Sequence, residues 1–173
     1  NAILICHALS GDAHAAGYYH QDDPKPGWWE IMVGPGKAID TDKYFVICSN
    51  VIGSCFGSTG PMADDYNTHS PYRYKFPVIT IKDMVKAQRI LLDSLGIYKL
   101  EAIIGGSMGG MQALQAAVDF PNLANKIFAL ATTSVTRPWA IAFLRRSRLR
   151  SRWAGGRSRT LIFMRHAISI PTA

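Results

Sequence analysis

Continuous apolar runs set the frame of this chain. Residues 2–6 read Ala-Ile-Leu-Ile-Cys, residues 44–48 read Tyr-Phe-Val-Ile-Cys, and residues 127–130 read Ile-Phe-Ala-Leu. A further short run ends at Ile104. Runs of this length between turn-forming residues indicate strands buried on both faces, as in a parallel sheet. Elsewhere the period is helical. Ile81, Met84, Val85, Gln88, Leu91, Leu92 and Leu95 share one helical face. Thr80 and Asp83 have capping-box form, and Gly96 is a stop signal. A second helix-forming run follows Ser107 and extends to Asp119, closed by Pro121. Strands alternating with helices predict an α/β domain with a mostly parallel sheet. Residues 12–44 are long and mixed, with a short amphipathic helix expected over 28–32 that packs Trp28 and Trp29 on the core. Residues 62–79 predict a polar surface excursion that ends in a short strand at Val78 and Ile79. The chain opens directly on a core strand, so further N-terminal strands are expected in the complete fold.

Charge divides the chain in two. The net charge is +7. Residues 1–136 carry eight Lys, two Arg and all twelve carboxylates, whereas residues 137–173 carry nine Arg and no carboxylate. Ordinary domains mix the signs, so the Arg-rich end is a different kind of segment. The run 145–152 has no amphipathic face and no caps. The expected division is a partial core over 1–143 and an atypical tail over 144–173 that does not belong to the fold. Nucleic-acid or anionic-membrane binding through that tail is the competing reading of its charge. No apolar run approaches the ~18 residues of a membrane helix, and no secretory leader pattern is visible. Cys6, Cys48 and Cys55 are odd in number and lack C-x-x-C spacing, which suits reduced thiols in the cytoplasm.

The chemistry concentrates between a strand and a helix. Gly105-Gly106-Ser107-Met108-Gly109 fits the G-x-S-x-G nucleophile elbow, with the strand before it and the helix after it, as that motif requires. The serine sits on a sharp turn that lifts its hydroxyl above the sheet, and glycine fits two residues to either side because the backbones are close. The helix start favours negative charge beside the hydroxyl. The other reading is a Gly-rich loop with a structural serine. A phosphate loop is disfavoured, since neither Gly-Lys-Ser/Thr nor G-x-G-x-x-G follows. In α/β-hydrolases the loop after an earlier strand gives one oxyanion-hole N–H. Here that loop is His7-Ala8-Leu9-Ser10-Gly11, so the donors are expected at Leu9 and Met108. The His7 side chain is expected to be structural. His7, His14 and His20 with Asp22 and Asp23 invite a metal reading, but their spacings match no ligand pattern, and no metal is expected.

Several motifs occur in a fixed order. They are residues 7–17, Gly27-Trp28-Trp29, Gly34-Pro35-Gly36-Lys37, Asn50-Val51-Ile52-Gly53, Gly57-Ser58-Thr59-Gly60-Pro61 and the elbow through Gln112. Together they resemble the homoserine O-acetyltransferases of the α/β-hydrolase superfamily, over about residues 1–143. Ser10 stands where that family's pattern has a threonine. The resemblance implies a partial α/β-hydrolase fold without its N-terminal strands, C-terminal lid and later triad members. It implies acetyl transfer from acetyl-CoA to the hydroxyl of L-homoserine through acetyl-Ser107, an early step of methionine synthesis. Acetyl-CoA is then a co-substrate, with no permanently bound cofactor. The resemblance also implies small-molecule substrates, a cytoplasmic homodimer when full length, no membrane and no nucleic-acid partner.

The triad order of this fold is Ser, then Asp, then His. After Ser107 the only carboxylate is Asp119 and the only histidine is His166. Asp119 lies about 18 Å along the elbow helix at 1.5 Å per residue, too far to serve. His166 falls in the Arg-rich tail. The chain as written is therefore expected to be inactive. A homoserine O-succinyltransferase or a serine esterase remains open, because an elbow alone does not choose between acyl donors or between water and an alcohol.

Overall fold

The structure is a computed structural model and describes residues 1–135. The expectations for the tail 144–173, including His166, lie outside the described residues. In chain order the elements are β1 (Ala2–Cys6), β2 (Phe45–Cys48), the two-residue strands β3 (Asp64–Asp65) and β4 (Ser70–Pro71), a 3-10 turn at Arg73–Lys75, α1 (Ile81–Ser94), β5 (Leu100–Gly106), α2 (Met108–Asp119) and β6 (Ala124–Leu130). The main sheet has the order β2-β1-β5-β6 and is parallel throughout. Every residue of β1 is buried, as its unbroken apolar run requires.

Alternation along the central strands feeds two cores. Leu4, Cys6 and Ile103 face α1 and α2, meeting Val85, Leu92, Ala113 and Ala116, and Leu100 at the start of β5 joins the same cluster. Ile3, Ile5 and Ala102 face the other way, toward Ala15, Val33 and Ile39 of the long loop. Helix α1 begins as its sequence dictates. Asp83 N–H donates to Thr80 Oγ1 at 3.2 Å, and Thr80 N–H donates to Asp83 Oδ2 at 2.9 Å. It ends at Gly96, whose φ of 69° is open to glycine, with Gly96 N–H on the Asp93 carbonyl and Ile97 N–H on the Leu92 carbonyl. Leu95, expected on the buried face, is the C-cap residue and is exposed.

Two local expectations are corrected. Residues 28–32 form successive turns, not a helix. Their first donors are taken by another loop segment: Trp28 N–H by the His14 carbonyl and Trp29 N–H by the Ala15 carbonyl. Trp29 packs on the core, but Trp28 is largely exposed and stacks on it with ring centroids 5.4 Å apart. Val78 and Ile79 form no strand. Ile79 instead packs against the cluster of Val51, Met84 and Met108, while the excursion's only ladder among the described residues is the β3–β4 pair.

The elbow forces three backbones together. A Cβ placed on Gly109 would lie 1.9 Å from the Cys6 carbonyl oxygen, and one on Gly105 would lie 2.1 Å from the Gly109 carbonyl oxygen. Gly106 has open space, its nearest neighbour 4.0 Å away. Backbone atoms cannot yield as a flexible side chain does, so Gly109→Ala is expected to cost more than about 3 kcal/mol, beyond ordinary overpacking. Gly106→Ala, by contrast, is expected to stay within about 1 kcal/mol. Urea unfolding followed by circular dichroism measures both, and equal losses would contradict the steric account.

The cysteines follow from the same alternation. Cys6 faces the helices, whereas Cys48 pairs in register with Ile5 and packs on the opposite face. Burial pushes both thiols up to about 12. Cys55 is exposed. At pH 8 an alkylating reagent should label Cys55 alone in the folded chain, since the thiolate is the nucleophile. Peptide mapping checks this, and rapid labelling of Cys6 would count against the packing described.

Candidate active site

Ser107 joins β5 to α2 with φ 55° and ψ −119°. For a residue with a Cβ this is strained backbone, costing of the order of 1–3 kcal/mol. A serine at a helix N-cap ordinarily turns its hydroxyl onto the first helical N–H groups. Ser107 occupies that position and makes no such bond. Its dihedrals turn the side chain outward, and the residue is exposed. The strain is held by the end of β6. Ser107 N–H donates to the Leu130 carbonyl at 3.0 Å, and the Thr132 hydroxyl donates to the Ser107 carbonyl at 2.7 Å. A structural serine would be bonded and buried, whereas this one is lifted out by its neighbours.

The loop after β1 lies at the same end of the sheet. β1 and β5 are parallel with Cys6 opposite Gly105, so both chains leave the sheet side by side. A tight turn follows, with Gly11 N–H on the Ala8 carbonyl at 3.0 Å. Leu9, at its tip, is exposed. Met108 is the first residue of α2, where an N–H has no intrahelical acceptor. Its side chain is buried against Val51 and Met84. Neither the Leu9 nor the Met108 N–H donates to an acceptor among the described residues. His7 is buried and spent on structure: Nδ1 bonds the Ala8 carbonyl at 2.8 Å, and Nε2 accepts from Val51 N–H at 3.3 Å.

The other candidates disperse. His14 Nε2 bonds the Gly17 carbonyl and its ring stacks on Tyr19, and Asp23 accepts from the Tyr19 and His20 amides. Among the described residues no three His, Cys, Asp or Glu side chains gather as a metal site would need. Asp119 ends α2, pointing one oxygen at Lys82 at 3.5 Å and burying the other without a partner. Pattern reading missed the buried amide pair under the elbow. Gln88 Nε2 donates to Gln112 Oε1 at 2.7 Å, and Gln112 Nε2 donates to the Met108 carbonyl at 3.4 Å. The signal was a glutamine within each helix's apolar face. It also missed Thr132, which no periodicity marks.

The loop after β2 is stitched to this end of the sheet. Asn50 Oδ1 accepts from Ala13 N–H at 2.7 Å, and Ser58 Oγ donates to the Asn50 carbonyl at 2.7 Å. A cavity of about 290 Å³ lies between this loop and α1, walled by Asn50, Val51, Ser58, Met84 and Gln88 among others.

Comparison with known proteins agrees with this geometry. The family model described as alpha/beta hydrolase fold matches residues 1–161. The homoserine O-acetyltransferase of Sulfurimonas autotrophica is 69% identical over 143 residues, which are 83% of this chain and 39% of that protein. That of Geobacter sulfurreducens is 59% identical over 142 residues, 82% of this chain and 39% of that protein. The chain thus spans about two fifths of the length of these relatives. Among solved structures, homoserine O-acetyltransferase from Bacillus anthracis matches with a TM-score of 0.78 at 38% identity, covering 91% of this chain and 45% of that one. Esterase E22 matches with a TM-score of 0.79 at 42% identity, covering 84% and 41%. With its parallel sheet, its strained Ser107 and glycines that only this close approach requires, the chain belongs to the α/β-hydrolase fold family.

Proposed function

We propose that this chain is the nucleophile-bearing part of a homoserine O-acetyltransferase. The observation that carries the chemistry is Ser107, a helix-capping position whose hydroxyl is turned away from the helix by positive φ. The identity to named homoserine O-acetyltransferases supports the choice of reaction. Ser107 Oγ attacks the thioester carbon of acetyl-CoA, its proton passing to a general base. The carbonyl oxygen becomes an oxyanion and accepts from Leu9 and Met108 N–H, each such donor contributing a few kcal/mol. The C–S bond breaks and the thiol leaves protonated. The hydroxyl of L-homoserine then attacks acetyl-Ser107 and yields its proton to the base; the bond from the acyl carbon to Ser107 Oγ breaks, Oγ takes the proton back, and the O-acetyl ester departs. Methionine synthesis in the cytoplasm is the setting this product fits, and a homodimer is the assembly we expect of the full-length enzyme.

A serine esterase is the second reading, supported by the likeness to esterase E22. The two share the acyl-enzyme and differ in what discharges it. The test uses a full-length chimera in which residues 1–143 replace the matching segment of the Sulfurimonas autotrophica relative. Mass spectrometry should find one acetyl group on Ser107 after mixing with acetyl-CoA, and L-homoserine should discharge it much faster than water. Ser107→Ala should abolish the adduct with little change in stability. Discharge by water alone at the same rate would favour the esterase, and acylation of the Ser107→Ala variant would sink the assignment of the nucleophile.

Residues 1–173 alone should turn over acetyl-CoA orders of magnitude below ordinary enzymes, which run at about 1–10³ per second. Asp119 is held at the far end of α2 by Lys82, so it cannot orient a base beside Ser107. Without a base, only residual stabilisation by the oxyanion donors is left. Thiol release in the presence of homoserine measures this. Ordinary turnover, abolished by Ser107→Ala, would show that a histidine of this chain acts as base.

A further inference from the structure

The end of β6 grips the backbone of Ser107 on both sides. Leu130 carbonyl takes the Ser107 N–H at 3.0 Å, and the Thr132 hydroxyl donates to the Ser107 carbonyl at 2.7 Å. Between them Ala131 has a φ of 45°, a second strained residue facing the first. This kink returns the chain toward Ser107 one residue after the strand ends. Room for the threonine is made on α2: a Cβ on Gly110 would lie 2.7 Å from Thr132 Cβ and Cγ2. A glycine and two strained positions thus converge on one hydrogen bond.

The carbonyl that Thr132 holds belongs to the peptide linking Ser107 and Met108. A peptide is planar, so its C=O and N–H point in opposite directions along one plane. The Ser107 carbonyl also accepts from Met111 N–H at 3.2 Å, so the helix and Thr132 hold it together from two directions, and fixing it fixes the direction of the Met108 N–H. The bond also polarises the peptide, and a polarised peptide is a stronger donor at its other end. We infer that Thr132 is a positioning residue for the oxyanion hole, aiming and strengthening the Met108 N–H through the shared peptide. The inference rests on the reading of Ser107 as nucleophile and Met108 N–H as oxyanion donor. Thr132 touches neither substrate nor the reacting atoms in this role.

The role belongs to the hydroxyl, not to the bulk of the side chain. Thr132→Val keeps the shape and removes the donor, whereas Thr132→Ser keeps the donor and removes the methyl. In the full-length chimera, p-nitrophenyl acetate gives a burst of nitrophenolate whose amplitude counts working sites and whose rate is the acylation rate per site. An oxyanion forms in both acylation and deacylation. Thr132→Val should therefore leave the amplitude and KM near those of the parent and lower both rate constants by about tenfold, less than the full loss of a donor. Thr132→Ser should restore both. A packing role would reduce the amplitude and leave the rate per site untouched. Thr132→Ala, at a half-buried position, serves where the valine variant folds poorly and should show the same loss per site.

Parental rate constants per site in the valine or alanine variant, with the burst abolished by Ser107→Ala, would overturn the role of Thr132 alone. So would equal losses in the serine and valine variants. A burst that survives Ser107→Ala would overturn the reading of Ser107 and, with it, the role built on it.

Discussion

The contact on which this structure depends is backbone against backbone where β1, β5 and α2 meet. The Cys6 carbonyl lies where a Gly109 side chain would be, and the Gly109 carbonyl lies where a Gly105 side chain would be. No side chain mediates the approach, so no rotamer change can relax it. Its consequence is chemical as well as steric. Because α2 starts hard against the end of β1, the loop after β1 and the first turn of α2 are neighbours at one end of the sheet. The backbones of residues from distant parts of the sequence, Cys6 and Gly109, are thereby brought into contact at that end.

Around that contact several polar side chains are spent on joining loops and helices. His7 joins its own loop to the loop after β2 through Val51. Asn50 ties that second loop to residue 13 of the first. Gln88 and Gln112 connect α1 to the carbonyl of Met108. A typical hydrogen bond contributes only about 1 kcal/mol net, whereas a buried group left unpaired costs more. The value of these bonds lies in excluding other arrangements of the loops. Met108 illustrates the division of labour: its side chain is fixed by Val51 and Met84, and its carbonyl by Gln112.

Much of this was legible in the sequence, and the parts that were not have a common cause. The strand runs at 2–6 and 44–48, the capping box at Thr80 and the elbow at Ser107 carry local signals, because burial period, cap chemistry and backbone sterics act within a few residues. Residues 28–32 carry a helical pattern but too few turns to continue it: Glu30 and Met32 N–H bond three residues back to Gly27 and Trp29, and the chain then turns to exchange bonds with Ile39 instead of adding a further helical turn. Val78 and Ile79 look like a strand by composition, but an apolar pair has no fixed geometry until a partner is present: Ile79 found the cluster of Val51, Met84 and Met108, while Val78 stays exposed. Thr132 could not be found at all from the sequence. A threonine after a strand has many uses, and only the fold brings its hydroxyl to a carbonyl twenty-five residues earlier.

The two parts of acyl-transfer chemistry make different demands on a fold. Preorganised N–H groups stabilise developing negative charge, and they need only rigid backbone. That rigidity is present at β1, α2 and the end of β6, close to the strained residues it supports. Proton transfer needs a titratable side chain within hydrogen-bond reach of the hydroxyl. His7 is committed to Ala8 and Val51, and Asp119 is committed to Lys82. His14, on the loop after β1, bonds Gly17 and stacks on Tyr19. In the function proposed here, the oxyanion donors would come from the loop after β1 and the start of α2, both at one end of the sheet order β2-β1-β5-β6. The geometry of Ser107 itself is set by glycines and carbonyls, none of which titrates, so the elbow is built and strained independently of any base.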